Sequence, residues 1–473
     1  MAFRRASNPS PQPAVVIIGA GIIGTSTAYF LTQLNPTREI HILESSPCLF
    51  PSSSSRAAGF LAKDWFSSSL ADLGILSFDL HRSLADDNSG AEKWGYAGST
   101  GLSLITRKTA KTLEPSSVVR GESWLLHGAS RAEAAASSAS APASGSHTPV
   151  ESLANGTDLS ELPKWLAIAS RPRVEVISHM DSTAQIDPGR FCNFLMGECI
   201  VHGVHLHLST TATRILTDSD TGDIVAVELN TGTTIPCSQV LVTAGVWTPM
   251  VLRELFPNIN HTCPVLNVSS LAGHSIVYRA TDGSSSAPDT PPATPSTSPS
   301  TQQQQQRCHA IFTTDKTATF SPEIFSRHAA HGETEIYLAG LNTPHLAFPA
   351  LASEIPPLEM TNQSIQRLHR VGLELLSASS AGALEIARMN VCHRPVMPDG
   401  KPIMGRIPRE ELGGVEGVYT CVGHGPWGVS LGPGSGLVMA EMLEGRTRLS
   451  AEVGLLSVEH AQGSPLGSPR GGL

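Results

Sequence analysis

An α/β fold in two units is what this sequence predicts, and three strand-to-glycine transitions are the reason. The first is a buried-type run, Val15 to Ile18, that leads straight into glycines and a helical pattern. The second is "QVLVTAGVWTP" (Gln239 to Pro249), and the third, "VYTCVGHGPWGVSLGPGSGLVMAEMLEG" (Val418 to Gly445), comes near the chain's end. At 473 residues the chain exceeds one ordinary domain, so two packed units are expected.

The N-terminal element is the most informative. Val15 to Ile18 is continuous and apolar, as a parallel strand buried on both faces requires. Gly19, Gly21 and Gly24 then give G-x-G-x-x-G, with Ala20, Ile22 and Ile23 between them. Ala28, Leu31 and Leu34 continue a helical face, and Glu39 to Leu43 forms a second strand ending in Glu44 and Ser45. Gly19 permits the tight turn, Gly21 lets a pyrophosphate approach the backbone, and Gly24 lets the helix pack close to the strand. The helix N-terminus faces the phosphate charge. Glu44 lies 20 residues past Gly24, where a carboxylate accepts hydrogen bonds from both ribose hydroxyls. An acid there disfavours a 2′-phosphate, which leaves NAD and FAD.

Composition removes other classes. Forty per cent hydrophobic and 15 per cent charged residues describe a globular chain. A net charge of −9, a pI near 6.0 and scattered basic residues give nucleic acid or an anionic membrane nothing to bind. Eight cysteines without a C-x-x-C pair read as reduced thiols. No apolar stretch reaches the roughly 18 residues of a membrane helix. The run at Val15 is too short for a signal peptide, and "SPRGGL" carries no address, so cytoplasm is the expected location. No metal site is expected. Residues 1–13, 130–163, 282–306 and 451–473 are small, polar or aperiodic and read as disordered or low-complexity segments.

Two more stretches complete a pattern: "SSSSRAAGFLA" (Ser52 to Ala62) and "CHRPVMPDGKPIMG" (Cys392 to Gly405). Together with the three transitions, they resemble the FAD-dependent amino-acid and amine oxidase family. That family includes D-amino acid oxidase, glycine oxidase, monomeric sarcosine oxidase and D-amino acid dehydrogenase. The likeness covers most of the chain outside the insertions and tails. It implies a discontinuous Rossmann-like FAD-binding domain from 14–100, 173–248 and 388–448. It also implies a substrate domain with a mixed, mostly antiparallel sheet, from 101–129, 249–281 and 307–387.

The resemblance selects FAD, because a C-terminal "GHGPWG" closing onto the first domain is how this family covers the flavin. Ser54, Ser55 and Arg56 have donors for pyrophosphate or ring oxygens, while Ala57, Ala58 and Gly59, ahead of Phe60, leave room for a flat ring. Ala244, Gly245 and Trp247 end the mid-chain strand. Gly423, Gly425 and Gly428 form a loop of bare backbone around His424, Pro426, Trp427 and Val429, and the helix that follows favours negative charge on the reduced ring. His424 and Trp427 are expected at the flavin edge. The resemblance puts Ala212 beside the adenine.

In D-amino acid dehydrogenase and glycine oxidase, the stretch like "CHRPVMPDG" reads G-L-R-P followed by P-D-G. Glycine oxidase uses that arginine to hold the substrate carboxylate. Here it is Arg394, whose planar fork suits a bidentate carboxylate. An arginine that only structures the turn is the alternative. Asp399–Gly400 is expected to form a turn into the next strand. Cys392 stands seven residues before Asp399, the offset at which monomeric sarcosine oxidase bonds its flavin; a small buried thiol is the alternative reading. His393 is a candidate base. Lys63 is a candidate for assisting oxygen reaction, with a surface lysine as the alternative. The expected activity is dehydrogenation of a C–N bond of a small amine or amino acid by hydride transfer to FAD. A flavoenzyme for a C–O bond, as in a hydroxy acid, is the first alternative. A flavoprotein that mainly binds a partner through its insertions is the second.

Overall fold

The computed structural model describes residues 13–105, 162–163, 165–167, 173–280, 307–314, 320–330, 333–376 and 384–463. Of the low-complexity stretches expected at 1–13, 130–163, 282–306 and 451–473, residues 1–12, 130–161, 282–306 and 464–473 lie outside these residues.

Two sheets organise the chain. The first runs in the order Ile403–Arg406, Val418–Val422, Thr234–Val242, Ala14–Ile18, Ile40–Leu43, His205–His207. Its centre is parallel: Ala14–Ile18 pairs with Thr234–Val242 on one side and Ile40–Leu43 on the other. Every residue of Ala14–Ile18 is buried, which explains the unbroken apolar run. A strand pair, Ala212–Thr217 and Ile224–Leu229, extends antiparallel from Thr234–Val242.

The second sheet follows the order Leu384–Val396, Ser269–Ala280, Thr334–Thr343, Glu323–His328, Cys308–Thr314, Ala97–Ile105, Thr183–Gln185, Phe60–Ala62, with Arg173–Ser178 beside Ala97–Ile105. All its pairings are antiparallel except Cys308–Thr314 with Ala97–Ile105. The predicted fold class, a mixed α/β chain with a mostly antiparallel second sheet, is therefore what forms.

The segments interleave more finely than the expected domain boundaries. Phe60–Ala62, Arg173–Ser178, Thr183–Gln185 and the first four residues of Ala97–Ile105 belong to the second sheet and fall within 14–100 and 173–248, expected in the first unit, while residues 101–105 fall in the expected substrate domain. Short strands carry too few residues to reveal which sheet they join.

One helix contact positions the site. The closing helix, Gly428–Leu443, packs along the first helix, Ile22–Leu34, with Gly432 against Ile22 and Gly436 against Ser26. A Cβ at Gly436 would stand 2.6 Å from the Ser26 backbone carbon, so only glycine allows this approach. Both helices are buried almost all round, which their low polarity demands.

The tail departs from expectation. Beyond 450, Gly454–Leu456 and Val458–Gly463 form short helices, and Ala451, Val453, Leu456 and Val458 are buried. The expected disorder therefore does not hold for 451–463: its few apolar side chains dock on cores built by distant segments. Such docking leaves no local periodicity.

Candidate active site

The first strand ends at Ile18, and Gly19 turns the chain with φ +109°, a left-handed value that favours glycine. A Cβ at Gly19 would also sit 2.7 Å from the Thr243 carbonyl oxygen, so the turn is wedged against the neighbouring strand's end. At Gly24 a Cβ would strike the Gly19 carbonyl, which fixes the close helix–strand packing. The first turn of Ile22–Leu34 carries no acidic side chain of its own. Glu44 completes this end: its carboxylate accepts from Ala20 N at 3.2 Å and Ser46 N at 2.8 Å.

A cleft of about 410 Å³ opens over this turn. Gly19, Gly21, Ile22, Ile23, Glu44, Ser45, Ser54, Ala57 and Ala212 line one end. Ala244, Gly245, Trp247, Cys392, His393, Arg394, His424, Gly425, Pro426, Gly428 and Val429 line the remainder. Residues from the two ends of the sequence thus share one cavity. A wider, more open groove of about 1130 Å³ around Arg446 to Val453 contains none of the expected site residues.

Several expected residues sit behind the cleft wall instead. Ala20 is buried under the turn. Ser55 donates to the Phe50 carbonyl at 2.6 Å, and Arg56 donates to the Val391 carbonyl at 3.2 Å. Ala58 accepts from Gln185 Nε2, and Gly59 accepts from Ile186 N at 3.0 Å. Gly423 packs on Met397. Phe60 and Trp427 join Trp65 and Phe66 in an aromatic core, with Trp427 edge-on to Phe66 at 4.9 Å. Trp427 therefore props the closing loop from beneath rather than lining the cleft. Lys63 pairs with Asp79 at 2.8 Å on a partly exposed face and is not among the cleft residues. Its ammonium end is partly exposed beside Asp79.

The far end of the cleft is assembled from side chains. Leu384–Val396 carries Cys392, His393 and Arg394, held in register opposite Gly273, Ala272 and Leu271. Arg394 donates to Asn342 Oδ1 and lies over Gly273, where a Cβ would collide with the guanidinium. His393 Nδ1 and Ser270 Oγ are 3.0 Å apart, and the His393 carbonyl accepts from Ser53 Oγ at 2.6 Å. Burial lowers the pKa of His393, and the nearby His274 and Arg56 add to it. His424 is buried, with Nε2 3.0 Å from Ser435 Oγ, and burial pushes its pKa down to about 4. Both rings are therefore neutral at neutral pH. Cys392 Sγ donates to the Gly273 carbonyl at 3.7 Å. The turn expected at Asp399–Gly400 is present: Gly400 N donates to Met397 O, and Lys401 N to Asp399 Oδ1.

Sequence reasoning missed Asn342, Gly273, His274 and the loop that closes this end. Trp247 Nε1 donates to the Pro349 carbonyl at 2.8 Å, and Phe348 packs between Trp247 and His393. No local signal marks them, because each meets its partner across a strand pairing or a loop far away in sequence.

The residues present suit FAD. A carboxylate stands at the second strand's end for the ribose, and the helix start, where Ser54 Oγ accepts from Ile22 N at 3.0 Å, faces the cleft for the pyrophosphate. Apolar walls with two neutral histidines and one arginine remain for the ring and substrate.

Comparison with known proteins agrees with this construction. The family described as "FAD dependent oxidoreductase" matches residues 14–442. A Schizosaccharomyces pombe protein assigned as an oxidoreductase is 24% identical, over 94% of this chain and 97% of its own length. TDA3 of Saccharomyces cerevisiae, likewise assigned as an oxidoreductase, is 23% identical over 95% of each chain. Among solved structures, glycine oxidase from Geobacillus kaustophilus superposes with a TM-score of 0.63 at 18% identity, covering 95% of this chain and 99% of that one.

Proposed function

The chain belongs to the FAD-dependent oxidoreductase family, and from that premise we propose that it dehydrogenates the C–N bond of a small amine or amino acid. The observation that carries this reading is the position of Arg394, partly buried on the same cleft as the N-terminal glycine turn.

Bound FAD supplies a hydride acceptor for the substrate's α-carbon. Arg394 offers the rest of its fork to a substrate carboxylate, with Asn342 steadying the guanidinium from one side. His393 is held neutral, and its Nδ1 is engaged by Ser270. With Nδ1–H donating to Ser270 Oγ, its Nε2 lone pair takes a proton from the substrate ammonium, giving the neutral amine whose lone pair forms the C=N bond. Phe348 and Trp247 cover this end and exclude water while the bond forms. The imine then takes up water to give a carbonyl compound and ammonia or an amine.

The test is anaerobic titration of the purified holoprotein with amines, amino acids and their 2-hydroxy analogues, following the flavin band near about 450 nm. Bleaching by an amine or amino acid, but not by its hydroxy analogue, is expected. Bleaching by the hydroxy acid alone would replace this reading with C–O oxidation.

A further inference from the structure

At the opposite edge of the first sheet, three histidines and a glutamate face one another. His41 lies on Ile40–Leu43, and the parallel register sets it beside His205 of the edge strand His205–His207, with Leu43 beside His207. Side chains two apart on a strand share a face, so Glu39, His41, His205 and His207 project together. The His41 ring stacks on His205 at 4.7 Å and on His207 at 5.3 Å. Ligand atoms of Glu39, His41 and His205 all lie within 4.8 Å of one another, the one such grouping among the described residues. Glu39 and His205 are exposed, so an ion reaches the group directly from solvent.

We propose that Glu39, His41 and His205 form a site for a divalent cation of the Zn²⁺ class. Two imidazoles and one carboxylate are the donor set of an open zinc site, with water completing the tetrahedron. Bond lengths of about 2.1 Å place tetrahedral ligands roughly 3.4 Å apart. Glu39 Oε1 already stands 3.0 Å from His41 Nε2, and turning the stacked His205 ring out of its parallel arrangement brings its nitrogen to the same point.

The fourth residue supplies a second argument. His41 Nδ1 lies 3.0 Å from His207 Nε2. With the ion on His41 Nε2, the opposite nitrogen donates to His207, which fixes both the tautomer and the ring plane. Metal-bound histidines usually have such an outer partner. The site bridges the second strand to the edge strand. The same edge holds Glu44, whose backbone N donates to the His207 carbonyl at 2.9 Å. The ion therefore clamps the strand that delivers Glu44 to the cleft. Nothing in this inference depends on which substrate the enzyme oxidises.

The experiment is calorimetric titration of Zn²⁺ into the tag-free, flavin-loaded protein, beside the variants His205→Gln, Glu39→Gln and His207→Gln. One equivalent is expected for the unmodified chain, and a raised Tm at saturating Zn²⁺. His205→Gln, at an exposed position, should abolish that equivalent while flavin content and circular dichroism stay unchanged. His207→Gln should keep the stoichiometry and weaken affinity roughly 10–100-fold, as loss of an outer partner does. Absence of uptake by the unmodified protein, or unchanged uptake by His205→Gln, overturns the proposal.

Discussion

The two ends of the cleft are built by different means. Around Gly19 and Glu44 the surface is mostly main chain, shaped by glycines that leave no room for a side chain and by a helix that begins where charge is wanted. Around Arg394 it is mostly side chain: Arg394 on one strand, Asn342 on another, Trp247 at the end of the short helical turn Gly245–Trp247, and Phe348 from a loop. The first end tolerates little change in backbone. The second is adjusted by single substitutions, which is where relatives with one fold acquire different substrates.

The largest effect should come from damaging the first end. Gly19→Val forces a β-branched residue into φ +109° and into the Thr243 carbonyl. It should cost about 3 kcal/mol of stability and most of the bound flavin, read from the absorbance ratio and a melt. Retention of flavin at the unmodified level would show that the turn is not the cofactor's cradle.

Arg394→Ala should behave oppositely, keeping flavin while lowering the rate of reduction at subsaturating amino acid by about 10–100-fold. The loss should appear in KM more than in kcat and should be smaller for substrates without a carboxylate. Equal losses for both substrate kinds would make Arg394 a structural residue.

The different construction of the two ends explains what could be read beforehand. Val15–Gly24 and Glu44 announce themselves because turn, close approach and ribose recognition each need a particular residue at a fixed spacing. The closing loop was equally legible, and the glycines opposite Ile22 and Ser26 show why: helix contact there is limited by backbone bulk. Arg394 was found by resemblance, but its partner Asn342 was not, since strand register links positions 52 residues apart without any local pattern. The packing of Trp427 on Phe60 and Phe66 beneath its own loop was hidden for a similar reason. A buried aromatic in a glycine loop looks the same in sequence whether it faces the cavity or the core beneath. Lys63 pairs with Asp79, a partner that charge alone does not reveal.

Acid sharpens the contrast at intermediate size. His81 donates to the Val429 carbonyl and His424 contacts Ser435, so both brace the closing helix, and burial holds each near a pKa of about 4. The unfolded chain protonates them near 6.5, so it binds more protons between pH 6.5 and 4, and stability falls as pH drops through that window. A loss on the order of 1–2 kcal/mol per histidine by pH 5 is expected in denaturant titrations. Stability unchanged from pH 7 to 5 would contradict the buried, neutral assignment.

The smallest effect belongs to Cys392. Its thiol is buried and donates to the Gly273 carbonyl, so Cys392→Ser should leave flavin content unchanged. Acid precipitation of the unmodified protein should release all its flavin to the supernatant. Flavin left in the pellet, and lost from it in Cys392→Ser, would reveal a covalent bond instead.

The most direct measurement is a crystal structure of the holoprotein with a carboxylate-bearing competitive inhibitor. The pyrophosphate should lie over Gly19 to Ile22, the ribose on Glu44, and the inhibitor's carboxylate on the Arg394 guanidinium beside the flavin ring. An inhibitor carboxylate bound away from Arg394, or a flavin outside the cleft between the glycine turn and the closing loop, would contradict the account.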